Sequence, residues 1–192
     1  MPAELSPFHR DLTFMAPLSE ERANTLVGFL AANFSGLVVD VGCGWAELLL
    51  RVLEASPRSR GLGIDLKPAS IEHAMSVARQ RHLSDRLTLI VGDAKEKMPT
   101  SAQAVICIGA SQIWGPRVEA KAPLNYRAAL SAVRSVIEPG APVVYGEGTW
   151  AATPTDAAIA PLAGRRDEYL FLPGARRVWK TPPYKWAICN SM

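Results

Sequence analysis

The chain has 192 residues, of which 48% are hydrophobic and 20% charged, and its net charge is +3. This size and composition predict one globular domain with its own apolar core. The mild charge disfavours nucleic acid as a partner, because proteins that bind it cluster basic residues on one face. No apolar stretch approaches the roughly 20 residues that cross a bilayer, and no signal peptide is visible. We therefore expect no membrane partner and a cytoplasmic location.

Residues 1–18 contain three prolines, which predicts an irregular N-terminal arm. Ser19 and the two acidic residues after it predict the start of a helix that reaches about Phe34. Another long helix is predicted from about Pro123 to Ile137. Five short apolar runs alternate with helical patterns, at residues 37–41, 61–65, 87–91, 104–108 and 142–145. This alternation predicts an α/β, doubly wound, mostly parallel sheet with helices on both faces.

A turn with two glycines, Gly42-Cys43-Gly44, follows the first apolar run. Glycine has no Cβ, so a ligand can lie against the bare backbone of such a turn. Asp40 precedes the turn, and its carboxylate would repel a pyrophosphate and attract a cation. The charge favours S-adenosylmethionine, which carries a sulfonium and an ammonium group. A dinucleotide is the nearest alternative, but it would favour a third glycine where Glu47 stands.

Further acidic residues follow the later strands of the predicted sheet. Asp65 lies about 20 residues beyond the glycine turn, where a carboxylate can accept from ribose hydroxyls. Asp93 and the N–H of Ala94 suit an adenine edge, and Glu147 follows the fifth strand. The carboxyl ends of parallel strands share one edge, so these carboxylates should lie near one another. Like charges repel, and their grouping is typical of a site for a cationic ligand.

In this order and spacing the motifs resemble those of class I S-adenosylmethionine-dependent methyltransferases, over roughly residues 20–150. The matching segments are Val39–Gly44, Gly63–Leu66, Gly92–Ala94 and Cys107–Ser111. The resemblance implies a Rossmann-like fold and S-adenosyl-L-methionine as cofactor. It implies that the cofactor is bound by Asp40, Gly42, Cys43, Gly44, Asp65, Leu66, Asp93, Ala94, Ala110 and Ser111.

The loop after the fourth strand indicates the class of acceptor. It lacks the Asn/Asp-Pro-Pro-Tyr/Phe signature of many DNA and protein amine methyltransferases. It also lacks the acidic residue of magnesium-dependent catechol-type enzymes, and the scattered Cys and His residues show no metal-ligand spacing. We therefore expect no metal and a small-molecule acceptor. Glu147 is the first candidate for a general base and His9 the second, although Glu147 could equally be a solvated loop carboxylate and His9 an exposed arm residue.

The C-terminal part departs from the family pattern. The resemblance implies a closing helix and an antiparallel pair of strands, which residues 151–192 do not recognisably contain. We expect a cofactor-binding domain at 19–150 and an atypical lid or tail of the same domain at 151–192. Three explanations stay open: a minimal domain, an altered end, or a homodimer partner that completes or covers this end. The alternatives in function are a cofactor-binding protein without catalysis and, from the basic aromatic tail, an RNA methyltransferase.

Overall fold

The structure is a computed structural model that describes residues 11–16, 18–115, 124–147, 155 and 157, and the backbone of 180–181 and 184–189. Its strands are β1 (Leu37–Val41), β2 (Arg60–Asp65), β3 (Leu87–Val91), β4 (Ala104–Ile108), β5 (Pro142–Gly146), β6 (Lys180–Thr181) and β7 (Tyr184–Cys189). The helices described are α1 (Glu20–Asn33), α2 (Glu47–Ala55), α3 (Pro68–Gln80), α4 (Ala94–Lys97) and α5 (Tyr126–Val136). The first five strands are parallel, and helices cover both faces, so the predicted α/β fold is confirmed.

The strand order places β1 beside the point where the order of the strands reverses. The order across the sheet is β3-β2-β1-β4-β5-β7-β6, so the chain reverses its direction of strand addition between β1 and β4. Ligands of open α/β sheets bind beyond the carboxyl ends of the strands at such a point. Asp40 pairs with Gly63 of β2 on one side and with Ile106 of β4 on the other. Asp40 thus lies where the fold offers its ligand crevice.

Alternate residues of the strands enter two separate apolar cores, because successive side chains of a strand point to opposite faces. Val38 packs in a core with Leu30 of α1 and Leu50 of α2. Val39 enters the other core, which contains Val133 of α5. All five side chains are fully buried. The near-continuous apolar runs of the sequence reflect this double coverage.

The helix boundaries follow from their capping residues. The Ser19 side chain accepts a hydrogen bond of 3.3 Å from Arg22 N, which confirms the predicted start of α1. The predicted start of the long helix at Pro123 is wrong by three residues. Asn125 caps that helix, α5, by accepting 3.0 Å from Ala128 N, and the helix begins at Tyr126.

The C-terminal tail does contain strands, which corrects the expectation that they are unrecognisable. β7 pairs with β5 in parallel, with Trp186 opposite Val143, and β6 pairs with β7 antiparallel. The antiparallel pairing of β6 and β7 agrees with the antiparallel pair of strands six and seven that the resemblance implies. Lys180 and Lys185 interrupt the apolar pattern there, which is why the sequence did not reveal the strands. These strands extend the sheet beyond β5, and a homodimer that completes or covers this end stays a prediction.

None of the helices within the described ranges has both the length and the apolar character needed to cross a bilayer.

One arginine holds the end of α2 to the start of β3. The Arg86 guanidinium donates to three backbone carbonyls, those of Leu53 at 3.0 Å, Ser56 at 3.2 Å and Ser59 at 3.1 Å. The last carbonyls of a helix lack partners within the helix, so an outside donor is valuable there. The planar fork of arginine can reach several acceptors at once, which a lysine ammonium cannot reproduce with the same geometry.

We predict that Arg86→Ala lowers the free energy of unfolding by about 2–3 kcal/mol, because three partly buried carbonyls lose a charged donor. Urea denaturation measures this difference. Arg58→Ala is the matched control, since Arg58 is exposed in the connection between α2 and β2 that Arg86 contacts. Its effect on the free energy of unfolding should stay within about 0.5 kcal/mol. Equal losses for the two variants would contradict the assigned role of Arg86.

Candidate active site

The carboxyl edge of the sheet brings together the acidic residues that the sequence placed at strand ends. Asp40 and Asp65 belong to β1 and β2, Asp93 follows β3 by two residues, and Glu147 follows β5 directly. Ser111 begins a short 3-10 helix, Ser111–Trp114, after β4. The strands are parallel, so all of these residues lie at one edge. His9, the second candidate base, lies outside the described residues.

The glycine turn after β1 is held by backbone and by Asp65. Gly42 N and Cys43 N both donate to the carbonyl of Ile64, at 2.9 and 3.1 Å. Gly44 N donates to Asp65 Oδ2 at 2.9 Å. The φ angles of Gly42 and Gly44 are 69° and 55°, in the left-handed region that favours glycine. The turn is therefore fixed to the end of β2 at three points.

The glycines also allow close packing within the protein. A Cβ on Gly42 would lie 2.7 Å from Ala110 Cβ, too close for any side chain. A Cβ on Gly44 would overlap the sulfur of Met15 and lie 3.2 Å from its Cγ. In the sequence, ligand approach is the one visible reason for the small size of these residues. The structure adds a second reason, since the loop after β4 and the N-terminal segment both press on the turn.

Asp40 carries the main electrostatic cost of the site. Its side chain is only 5% exposed, and this burial raises its pKa to about 8, with a further contribution from the negative charge of Asp65. Burial also raises the pKa of the neighbouring Cys43 thiol well above its usual range. A Cβ on Gly63 would lie 3.0 Å from the Cys43 sulfur, so this neutral thiol packs against β2. Burial and the nearby negative charge therefore disfavour the ionised form of Asp40, and a cation beside it would stabilise that form.

The other two aspartates already accept backbone hydrogen bonds. Asp65 Oδ1 accepts from Lys67 N at 2.8 Å, and the side chain of Leu66 between them is 65% exposed. Asp93 caps α4 by accepting from Lys95 N at 2.9 Å, and it lies 3.4 Å from the Lys95 ammonium. These bonds hold both carboxylates in place in the protein itself.

A buried polar cluster joins the ends of β4 and β5. Ser111 N donates to Glu147 Oε1 at 2.7 Å, and the Ser111 hydroxyl hydrogen-bonds the Tyr145 hydroxyl. All three residues are less than 10% exposed. Burial raises the pKa of Tyr145, so its phenol stays neutral. Tyr145 is a site residue that the sequence did not indicate, although it lies two residues before Glu147 and alternate residues of an extended chain share one side.

The described part of the N-terminal arm packs close to the glycine turn. The Trp45 indole donates to the carbonyl of Thr13 at 2.8 Å. Phe14 is buried, with the Arg51 guanidinium 4.9 Å above its ring. Across the described ranges, no group of three or more His, Cys, Asp or Glu side chains could hold a metal ion.

Comparisons with known proteins agree with this geometry. A family model described as a methyltransferase domain matches residues 38–140. Over 59 residues the chain is 37% identical to the methyltransferase ungE' of Aspergillus campestris. This aligned segment covers 31% of this chain and 17% of that protein.

Two solved structures share the fold over most of the chain. YjhP of E. coli is 25% identical, with a TM-score of 0.69 over 86% of this chain and 65% of its own. A S-adenosylmethionine-dependent methyltransferase of Thiobacillus denitrificans, solved with S-adenosylhomocysteine, is 23% identical, with a TM-score of 0.70 over 88% of this chain and 67% of its own. The chain thus spans about two thirds of the two structures and a sixth of the curated relative.

We predict that the free energy of unfolding of the ligand-free protein decreases as the pH rises from about 4 to about 8, because Asp40 ionises. Its pKa is higher in the folded protein than in the unfolded chain, so the folded state holds the proton more tightly in this window. Ionising the buried group on raising the pH then costs up to about 1.4 kcal/mol per pH unit.

Asp40→Asn keeps the shape of the neutral acid and removes the titration. Urea unfolding from pH 5 to 8.5 should therefore show the wild-type protein losing stability relative to this variant as the pH rises. A difference between the two proteins that stays constant over this range would show that Asp40 does not titrate there.

Proposed function

Because the chain belongs to the family of methyltransferase domains, we propose that it transfers the methyl group of S-adenosyl-L-methionine to a small-molecule acceptor. The observation that carries the proposal is the buried Asp40 beside Asp65, at the point where the strand order reverses. Two neighbouring carboxylates disfavour a pyrophosphate and are stabilised by a cation. S-adenosylmethionine supplies an electrophilic methyl group on a positively charged sulfur.

The residues fit the parts of this cofactor in chain order. Asp40 would pair with the ammonium group, and the backbone of the Gly42–Gly44 turn would lie along the methionine part. Asp65 would accept from the ribose hydroxyls, and the exposed Leu66 offers an apolar surface for the adenine. Asp93 and Ala94 would meet the adenine edge. Ala110, which touches Gly42, and Ser111 would lie near the methyl group.

The buried cluster after β4 and β5 fits a reaction governed by positioning. Methyl transfer is an in-line displacement, which requires acceptor and methyl group to be held in line with water excluded. Glu147 and Tyr145 hold Ser111 in the loop after β4, and Ala110 of the same loop packs against the glycine turn. These contacts keep the distance between the loop after β4, on the acceptor side, and the glycine turn, on the cofactor side, constant.

We predict that the protein binds S-adenosylmethionine and that Asp65→Ala weakens binding at least about tenfold, because a charged hydrogen-bond acceptor is lost. Isothermal titration calorimetry measures the affinity, and thermal unfolding checks that the variant is folded. Asp85→Ala is the matched control, since Asp85 is exposed and precedes β3 at the opposite edge of the sheet. Absence of binding by the folded wild-type protein would contradict the proposed cofactor.

We expect radiolabelled S-adenosylmethionine to transfer its methyl label to a small molecule of a cell extract. Chromatography of the acid-soluble fraction identifies the labelled compound. Label found only in RNA would instead support an RNA methyltransferase. Tight cofactor binding without any transfer would support a binding protein without catalysis.

We propose Glu147 as the general base. Once the acceptor is identified, the variant Glu147→Gln tests this role. The amide oxygen can still accept from Ser111 N, but it cannot take a proton. We predict a fall in kcat of at least about 100-fold and loss of the acidic limb of the pH profile. Glu147→Ala removes the anchor as well and is the comparison. Full activity of Glu147→Gln would limit this residue to a positioning role.

A further inference from the structure

We propose that Met15 is a further cofactor-contacting residue and that residues 13–15 form a fixed wall of the cofactor pocket. The inference rests on the cofactor position proposed above. It starts from the contacts of one side chain. Cβ, Cγ and Sδ of Met15 all lie within 3.4 Å of the place that a Cβ on Gly44 would take, and the Ser70 hydroxyl lies 3.8 Å from the Met15 sulfur.

These two contacts place Met15 between the elements that would hold the cofactor. Gly44 belongs to the turn assigned to the methionine part, and its N–H donates to Asp65, the residue assigned to the ribose. Ser70 lies in the first turn of α3, directly after the Asp65–Lys67 bend. Met15 therefore spans from the first to the second cofactor-binding segment. Its side chain is half-buried, so part of its surface is open to contact with a ligand.

The wall is held in place by contacts that do not involve the cofactor. Thr13 accepts from the Trp45 indole at 2.8 Å, and Phe14 is buried in the core below the Arg51 guanidinium. Arg51 in turn donates to Glu47 at 2.7 Å on its own helix, α2. The segment is thus attached to α2 on one side while Met15 faces the turn. Such preorganisation lowers the entropy that must be lost when a ligand binds.

The chemistry of methionine suits this position. Its side chain is apolar, flexible and polarisable, so it can follow the outline of a ligand. An apolar wall beside Gly44, whose N–H is bonded to Asp65, also excludes water, which strengthens the attraction of that carboxylate to a cationic cofactor. Shortening the side chain would admit water to this carboxylate.

Isothermal titration calorimetry with S-adenosylhomocysteine tests the proposed wall by comparing the affinities of Met15 variants. We expect Met15→Ala to bind about five- to tenfold more weakly than the wild-type protein and Met15→Leu, of similar volume, to stay within about twofold. Met75→Ala is the matched control, since Met75 is 39% exposed on α3, and its affinity should not change. Unchanged or tighter binding by Met15→Ala would overturn the proposal.

Methionine oxidation gives a second readout that needs no variant. The wild-type protein is treated with dilute hydrogen peroxide, with and without saturating S-adenosylhomocysteine, and sulfoxide is measured by mass spectrometry. We expect the ligand to slow oxidation of Met15 several-fold and to leave that of Met75 unchanged. If Met15 is oxidised equally in both samples although calorimetry shows binding, the proposed role of Met15 is wrong and the proposed cofactor is not affected. Absence of binding would instead reject the cofactor itself.

Discussion

The hydrogen bond that Gly44 N donates to the carboxylate of Asp65 is one of three that join the glycine turn to β2, and it is the one made by a side chain. It ties the turn after β1 to the end of β2. The second oxygen of the same carboxylate accepts from Lys67 N, just before α3 begins. One side chain therefore sets the distance between the turn and α3. Met15 contacts both sides of this junction, and the loop after β4 packs on the turn at Gly42.

The same carboxylate also makes the neighbouring Asp40 costly. Burial and the charge of Asp65 together raise the pKa of Asp40, so the ligand-free protein is destabilised by ionising it. A ligand that brings a positive charge reverses this, since the ionised form then gains a partner. The group that costs stability is therefore the group that selects the ligand. Proteins commonly keep such unfavourable features only where function requires them.

The sequence predicted the parts of the site that depend on strand ends. Each central strand is a short apolar run, so the positions of Asp40, Asp65 and Asp93 at one edge followed from topology. The contacts across the fold could not be predicted in this way. Ser111 and Tyr145 are 34 residues apart and meet only because β4 and β5 are neighbours. Met15 lies in a proline-rich arm without periodicity, and lysines interrupt the apolar pattern of β6 and β7, so neither part of the chain gave a signal.

Ala46, which follows the glycine turn, has a strained backbone conformation that maintains the shape of the turn. Its φ of 60° and ψ of 23° are left-handed, which costs a non-glycine residue about 1–2 kcal/mol. Its N–H donates to Cys43 O at 2.8 Å and its carbonyl accepts from Leu50 N at 2.9 Å, so the conformation is enforced from both sides. A glycine would remove the strain, but it would also withdraw a buried methyl group from the core and free the backbone in the unfolded chain. The alanine therefore holds the start of α2 in one geometry, and with it the residues Trp45 and Arg51 that fix the wall over Gly44.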